Sequence, residues 1–415
     1  MKLLTVDLPS PLPEVPPPTI GEQWVLVRLH GEPLGILPFA GRGCNARELG
    51  HLIAERFADR ILRHTTADTL AAAGESLEPL ASQCPQRPPY ERPRVTVAVC
   101  SRNGADRLSE CLDALLALRY PGDRLELLVV DNAPADDRTR QLVAFRYPSI
   151  GYVVEPKPGL DHARNRAIHE ASGDLVAFTD DDVSVDPGWV DAVARVFAGE
   201  PDVQAVTGLV VADEMDVESQ RLFERYGGFG RGFDRQYFRV DTVSGERAAR
   251  RHGGAGRFGT GANMAFRRSV FDRIGVFDPA LDVGTSTNGG GDLEMFFRVL
   301  KEGGSLVYEP SAIVRHRHRR TYEQLKTQLT NNGIGFYAHL VRSARYYPDE
   351  RSAFLRLGVW WFCWWNLRRL ARSFTNPSEF PRDLIVAELV GSIKGLRRYS
   401  HAVKAAAQRS EGTRT

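Results

Sequence analysis

Three consecutive carboxylates, Asp180, Asp181 and Asp182, follow the short apolar run 174–178. Carboxylates held this close repel one another unless solvent or a cation screens them. Hard divalent ions, Mg2+ or Mn2+, are the partners such oxygens suit best. Standing alone, the triplet reads as a solvated acidic turn. Two other apolar runs end in the same way: 95–100 in Ser101, Arg102 and Asn103, and 125–130 in Asp131 and Asn132. Strands of a parallel sheet share one C-terminal edge, so these groups would converge on one cleft, where an open α/β sheet places its ligand.

Further along, Asn288-Gly-Gly-Gly leads into Asp292 and an i, i+3, i+4, i+7 apolar face of Leu293, Phe296, Phe297 and Leu300. This spacing predicts a helix from Asp292 or just after it, with Asp292 at the N-cap. A glycine-rich loop ahead of a helix suits a segment that closes over substrate. His316 and His318 follow the strand-like run 311–314. Two apart in extended chain, they point the same way. A solvated basic cluster with Arg315, Arg317, Arg319 and Arg320 is the alternative reading of that stretch.

The elements that must hold these residues alternate. A helix carrying Leu108, Cys111, Leu112 and Leu115 follows the run 95–100, and a helix over 136–146 follows 125–130. The strand 151–154 precedes a segment, 156–173, whose second half is helical. After the acidic triplet, Asp186 is predicted as an N-cap with Pro187 at the first helical position. Strands and helices at this spacing imply an α/β, mostly parallel, doubly wound sheet. Upstream, residues 8–18 are proline-rich and read as an extended lead-in. Runs 24–29 and 33–39 flank His30-Gly31-Glu32 as a hairpin, and 46–63 places Leu49, Ile53, Phe57 and Leu62 near one helical face. This small α+β unit, 1–84, shows no chemistry, and its expected role is structural or regulatory. A second proline-rich stretch, 84–94, marks the boundary to a domain over 95–320.

A length of 415 residues predicts two or three units, and 42% hydrophobic with 26% charged residues argues against a disordered chain. The net charge of +2 conceals an asymmetry: residues 315–415 carry 19 Lys and Arg against 7 Asp and Glu, so the rest of the chain is acidic. The five scattered cysteines, Cys44, Cys84, Cys100, Cys111 and Cys363, argue for a reducing compartment and against a disulfide framework or a zinc site. No basic stretch followed by a long apolar one opens the chain, so no secretory signal is expected. No apolar run nears the ~18–20 residues of a spanning helix; the nearest approach is 357–365.

Taken in order, the motifs resemble the nucleotide-sugar half of a glycosyltransferase family 2 enzyme with the GT-A fold. The turn Cys100-Ser101-Arg102-Asn103 is similar to the family's first strand end, and Val130-Asp131-Asn132 to its second. Gly159-Leu-Asp-His-Ala-Arg164-Asn165-Arg-Ala167 and Asp180-Asp181-Asp182 resemble its next two motifs. The segment from Gly259 to Arg268 resembles the lead into the acceptor helix. The likeness covers about residues 95–320. It implies an inverting, metal-dependent hexosyltransferase that uses a nucleoside-diphosphate sugar, with UDP the expected carrier. It further implies Mn2+ or Mg2+ on Asp182, with Asp180 on ribose or metal waters and His316 (His318 as fallback) as a further ligand. Asp131 would accept from the nucleobase, Ser101, Arg102, Asn103 and Asp181 would line the donor pocket, and Arg164 with Asn165 would face the diphosphate. Asp292 takes the slot of the general base, while Gly291 replaces the family's usual Glu. The Gln-x-x-Arg-Trp motif of processive synthases is absent, which argues against a polymerase with its own channel.

The region 321–415 reads as helical and basic. Residues 354–369 are nearly apolar, with four tryptophans and a terminal Arg368-Arg369. Such a segment suits a helix lying in a membrane interface, and packing against the catalytic domain would use the same residues. A glycan, a lipid-linked sugar or a small molecule is the expected acceptor, and no nucleic acid is expected. The expected location is cytoplasmic, with peripheral contact on the inner face of the plasma membrane. Two other readings compete. A nucleotidyltransferase would want a Gly- and Lys-rich phosphate loop, which 101–106 lacks. A degenerate glycan- or membrane-binding module is hinted at only by Gly291.

Overall fold

The computed structural model describes residues 2–71, 89–239, 255–376 and 380–411. Residues 84–88 of the proline-rich boundary lie outside the described residues. The chain opens with β1 (Leu4–Asp7), β2 (Glu22–Leu29) and β3 (Glu32–Ala40), followed by α1 (Ala46–Ala71). β2 and β3 form the expected hairpin, closed by His30 and Gly31 at φ +54° and +80°. Left-handed conformations at both turn positions match the twist of the flanking strands. Leu49, Ile53 and Phe57 bury the inner face of α1, but Leu62 does not: it is 66% exposed. Five residues beyond Phe57, it is rotated about 140° off that face, and Ile61 packs there instead.

The central sheet contains β4 (Val95–Ser101), β5 (Leu125–Asn132), β6 (Gly151–Glu155), β7 (Leu175–Asp180), β8 (Val183–Val185), β9 (Val203–Ala212), β10 (Gln236–Phe238), β11 (Asn263–Arg267) and β12 (Ser305–His316). Its order is β10-β12-β9-β11-β7-β4-β5-β6, with β8 pairing to β12. β7, β4, β5 and β6 are parallel, as are β9 and β12, and β11 runs antiparallel between the two groups.

The helices between these strands are α2 (Ala105–Leu116), α3 (Arg138–Arg146), α4 (Leu160–Glu170), α5 (Trp189–Gly199), α6 (Glu218–Tyr226), α7 (Ser269–Ile274) and α8 (Gly291–Lys301). Apolar residues of α2, α3 and α5 pack on one sheet face, and those of α4, α7 and α8 on the other. Cover on both faces explains why β4 is buried at every position and reads as a continuous apolar run. Asp186 does not cap α5 as predicted. Its Oδ1 accepts from Gly188 N at 2.9 Å, a local turn that delays the helix to Trp189, while its Oδ2 pairs with Arg28 at 2.5 Å. That buried ion pair ties β2 to the central sheet, and Leu3 and Leu26 pack beside it on Leu209, Val211, Tyr308 and Ile313.

The C-terminal region is helical: α9 (Tyr322–Tyr346), α10 (Arg351–Trp360), wider π-helical turns over Trp361–Leu367, α11 (Arg368–Thr375) and α12 (Arg382–Glu411). Thr321 and Gln324 close α9 with a reciprocal capping box. Phe297 of α8 packs against Phe336 and Phe354 of this region. The helical layer therefore sits directly behind the helix that begins near Asp292. Among the described residues no helix is long and apolar enough to cross a membrane.

Candidate active site

The carboxylate triplet divides among three directions. Asp180 is the last residue of β7 and lies on the face covered by α4, so it looks toward Arg164. Asp181 turns back under the β4–α2 junction, where Ser101 Oγ donates to it at 2.7 Å and Arg107 pairs with it at 3.2 Å. Asp182 points toward β12: its Oδ1 lies 3.5 Å from His316 Nε2, and Arg319 lies 3.5 Å from its Oδ2. Pairing of β8 with β12 produces this meeting, because Val183 sits opposite His316.

His316 and His318 are both buried, which removes them from the solvated cluster that their basic neighbours form. His318 Nε2 faces Glu224 Oε1 at 2.6 Å, and the two Nδ1 atoms of the histidines lie 3.2 Å apart. With the His318 Nε2 proton donated to Glu224, its Nδ1 accepts the Nδ1 proton of His316. That leaves the His316 Nε2 lone pair facing Asp182. Burial pushes the His316 pKa down to about 4, against the pull of Asp182, so the ring is neutral near pH 7. Two acceptors facing each other with no proton between them suit a shared cation, and His318, itself held by Glu224, orients the His316 ring from behind as an outer partner orients a metal ligand.

Asp131 is fully buried at the end of β5 and accepts from Tyr152 Oη at 2.8 Å, while its Oδ1 meets no partner within the protein. Burial raises its pKa and the Tyr152 bond counters this. Asn132 and Asn103 serve the backbone: Asn132 Oδ1 accepts from Gly159 N at 2.8 Å, and Asn103 Oδ1 accepts from Ala135 N at 2.9 Å. Asn165 does not face the cleft. It clamps both the N–H and the carbonyl of Phe277 at 2.9 Å. Arg102 is exposed near Gly284.

A large cavity of about 1340 Å3 lies beside this edge, lined at its polar end by Asp161, Arg164, Asp180 and Asp292. Arg164 is buried, bonds Asp161 at 2.9 Å and stacks over Phe277. Asp292 holds the first turn of α8 with both oxygens occupied: Oδ1 accepts from Leu293 N at 2.9 Å and Oδ2 from Gly261 N at 2.8 Å. Crowding shifts this cluster. Burial raises Asp161, assisted by Asp282, and pushes Asp180 and Asp282 each up to about 7.

Asp161 and Asp282 had no role in the sequence reading. Asp161 explains the departure at Gly291, where a Cβ would fall 1.9 Å from Asp161 Oδ2. A side chain there is excluded while α4 supplies the carboxylate instead. A signal was present in the sequence, since Asp161 stands in the first turn of α4 just after Gly159. At the other end the cavity reaches Trp360, Trp361 and Trp365.

Residues 96–275 match the family model described as Glycosyl transferase family 2. Over 234 residues the chain is 25% identical to glucosyl-dolichyl phosphate glucuronosyltransferase of Haloferax volcanii, covering 54% of this chain and 69% of that one. It is 27% identical over 258 residues to polypeptide N-acetylgalactosaminyltransferase 11 of Xenopus tropicalis, covering 58% of this chain and 41% of that one. The chain thus spans less than half the length of this second relative. A solved mannosyltransferase of Pyrobaculum calidifontis, in complex with GDP-Man and Mn2+, is similar at 18% identity and a TM-score of 0.45, covering 86% of this chain and 85% of that one. The family match thus lies on the α/β sheet whose strand ends carry the expected motifs in order, and residues 96–275 form a glycosyltransferase family 2 domain.

Proposed function

We propose that this enzyme transfers a sugar, with inversion, from a nucleoside-diphosphate sugar to a hydroxyl of a lipid-linked acceptor. The observation that carries this reading is the single cavity joining Asp292, Arg164 and Asp180 to a wall of tryptophans. UDP is the proposed carrier, with Asp131 accepting from the base through its unpartnered Oδ1. Asp182 and His316 would hold Mn2+ or Mg2+, with Asp180, turned toward Arg164, contacting ribose or metal-bound water. Such an ion, when bound, neutralises charge on the departing diphosphate.

Asp292 is the proposed general base. Its two backbone bonds fix the carboxylate without using all of its lone pairs, so it can take a proton from an acceptor hydroxyl lying in the cavity. Arg164 supplies the buried positive charge nearest the reacting centre, held in place by Asp161.

The lipid-linked acceptor is favoured by what surrounds the cavity. Leu355, Val359 and Trp360 line it while remaining largely exposed, and Trp364 and Leu367 continue the apolar surface. Arg368 stacks on Trp364 at 4.5 Å, so the apolar surface ends in a cation, as peripheral membrane binding requires. On α12, Val386, Val390 and Ile393 form a second exposed apolar stripe. The Haloferax relative is named for a dolichyl phosphate-linked sugar.

The test is transfer from a panel of nucleotide sugars with Mn2+ or Mg2+, comparing a polyprenyl-phosphate-linked sugar with the same sugar free in water. A much higher kcat/KM for the lipid-linked acceptor is expected. Equal use of both overturns the acceptor assignment, and no turnover of any donor overturns the activity.

A further inference from the structure

Far from the cavity, three side chains of the N-terminal unit bring ligand atoms together. His30 Nδ1 lies 2.9 Å from His64 Nε2 and 3.1 Å from Asp68 Oδ2, and His64 Nε2 lies 3.2 Å from Asp68 Oδ2. We propose that His30, His64 and Asp68 bind one Zn2+ ion, independently of the catalytic centre, and that the ion staples the β2–β3 hairpin to α1.

The argument begins with the backbone. His64 and Asp68 are four apart on α1 and so share one face. His30 occupies the left-handed first position of the hairpin turn, and Gly31 N donates to Asp7 Oδ2 at 2.9 Å, which braces that turn over the helix. All three side chains are at most 6% exposed.

The placement of the ligand atoms favours a cation. His64 Nδ1 faces Glu32 Oε2 at 3.1 Å, so the carboxylate holds the His64 proton on Nδ1 and leaves a lone pair on Nε2. That lone pair faces the Asp68 oxygen at 3.2 Å, and His30 Nδ1 closes the triangle at 3.1 Å from the same oxygen. A metal ion satisfies all three atoms at once. Their separations are close to the roughly 3.3 Å edge of a tetrahedron with ~2.0 Å bonds, the length of Zn–N and Zn–O bonds.

Two imidazoles and one carboxylate suit a borderline first-row ion rather than Mg2+ or Ca2+, which prefer all-oxygen shells. Glu32 then acts as the outer carboxylate that orients a ligating histidine. The need is also physical. Among the described residues this unit's own core cluster contains 11 buried apolar side chains, a size at which small domains often add a metal or disulfide. The scattered cysteines made a zinc site look improbable, but these ligands come from a turn and a helix that are distant in sequence.

The experiment uses full-length Asp182→Ala protein, so that the catalytic centre does not contribute, stripped with a chelator and titrated with Zn2+ against a chromophoric competitor. One equivalent is expected to bind and to raise the thermal midpoint. His64→Gln and Asp68→Asn should each lose that equivalent, and Glu32→Gln should weaken it about 10- to 100-fold. No uptake in the Asp182→Ala protein, or uptake unchanged in His64→Gln and Asp68→Asn, overturns the proposal. Should those variants fail to fold, X-ray absorption on the Zn-loaded Asp182→Ala protein decides: a shell with two imidazoles supports the site, and one without them overturns it.

Discussion

Gly261 donates its backbone N–H to Oδ2 of Asp292 at 2.8 Å, and a Cβ on Gly261 would lie 3.2 Å from that oxygen and 2.5 Å from Arg164 Nη2. The loop entering β11 therefore sets the position of both the proposed base and the buried cation, and only glycine leaves room for them. Asp292→Asn is expected to lower kcat by about 100-fold or more, the usual contribution of a positioned base, with donor affinity little changed. Gly261→Ala should also lower kcat, by displacing Arg164. Steady-state kinetics with a thermal-melt control measures both, and full activity in Asp292→Asn would sink the base assignment.

The split of the acidic triplet makes Asp181 and Asp182 separable. Asp182→Ala should abolish Mn2+-dependent nucleotide binding in isothermal titration. Asp181→Asn should retain it, because Asp181 bonds Ser101 and Arg107 rather than pointing at His316. Its cost should appear as stability, about 1–3 kcal/mol for disturbing a buried hydrogen-bonded carboxylate, read from urea unfolding. Undiminished metal-dependent binding in Asp182→Ala would remove the metal assignment.

Exposed Trp360 and Trp364 provide a test of membrane contact. Replacing both with Ser should reduce co-flotation with anionic liposomes about tenfold or more, the scale expected for withdrawing large apolar side chains. Donor hydrolysis in detergent-free buffer should not follow. Flotation unchanged in the double variant would mean that this surface does not meet lipid.

The pH dependence of stability should include a term from His339. Burial lowers its pKa from 6.5 to about 3, with Arg342 adding to the shift. The folded state therefore refuses a proton that the unfolded chain accepts, so this contribution is full above about pH 6.5 and is lost as pH falls toward 3. The loss approaches about 1.4 kcal/mol per pH unit in that window. Asp180 and Asp282, raised to about 7, act in the opposite sense, stabilising the fold as pH falls below 7. A difference measurement isolates the histidine: His339→Gln should gain stability relative to wild type between pH 6.5 and 5. Parallel unfolding curves at both pH values would refute this.

Local pattern was enough for the α/β alternation and for most of one sheet edge. Runs such as 95–100 are apolar because both sheet faces are covered, and the polar residues that end them stop where the sheet stops. Ser101, Asp131 and Asp180 could be named because they stand at strand ends, and Asp292 because it stands in the first turn of a helix, although that helix begins at Gly291 with Gly290 as its cap rather than at Asp292. Leu62 and Asp186 were misread for local reasons, a five-residue step around a helix in one case and a two-residue turn in the other.

What the chain could not reveal by itself was direction and partnership. Which carboxylate of Asp180-Asp181-Asp182 faces the cavity depends on Ser101 behind it and on the pairing of β8 with β12, contacts between residues 80 or more positions apart. Gly291 looked like a lost catalytic position until α4 placed Asp161 in the same space. The His30–His64–Asp68 cluster exists only because a hairpin turn folds onto a helix. Residue type and spacing determine which groups can do chemistry and where elements end. Only packing, which brings distant side chains within a few ångströms and removes water from between them, decides which of those groups act together.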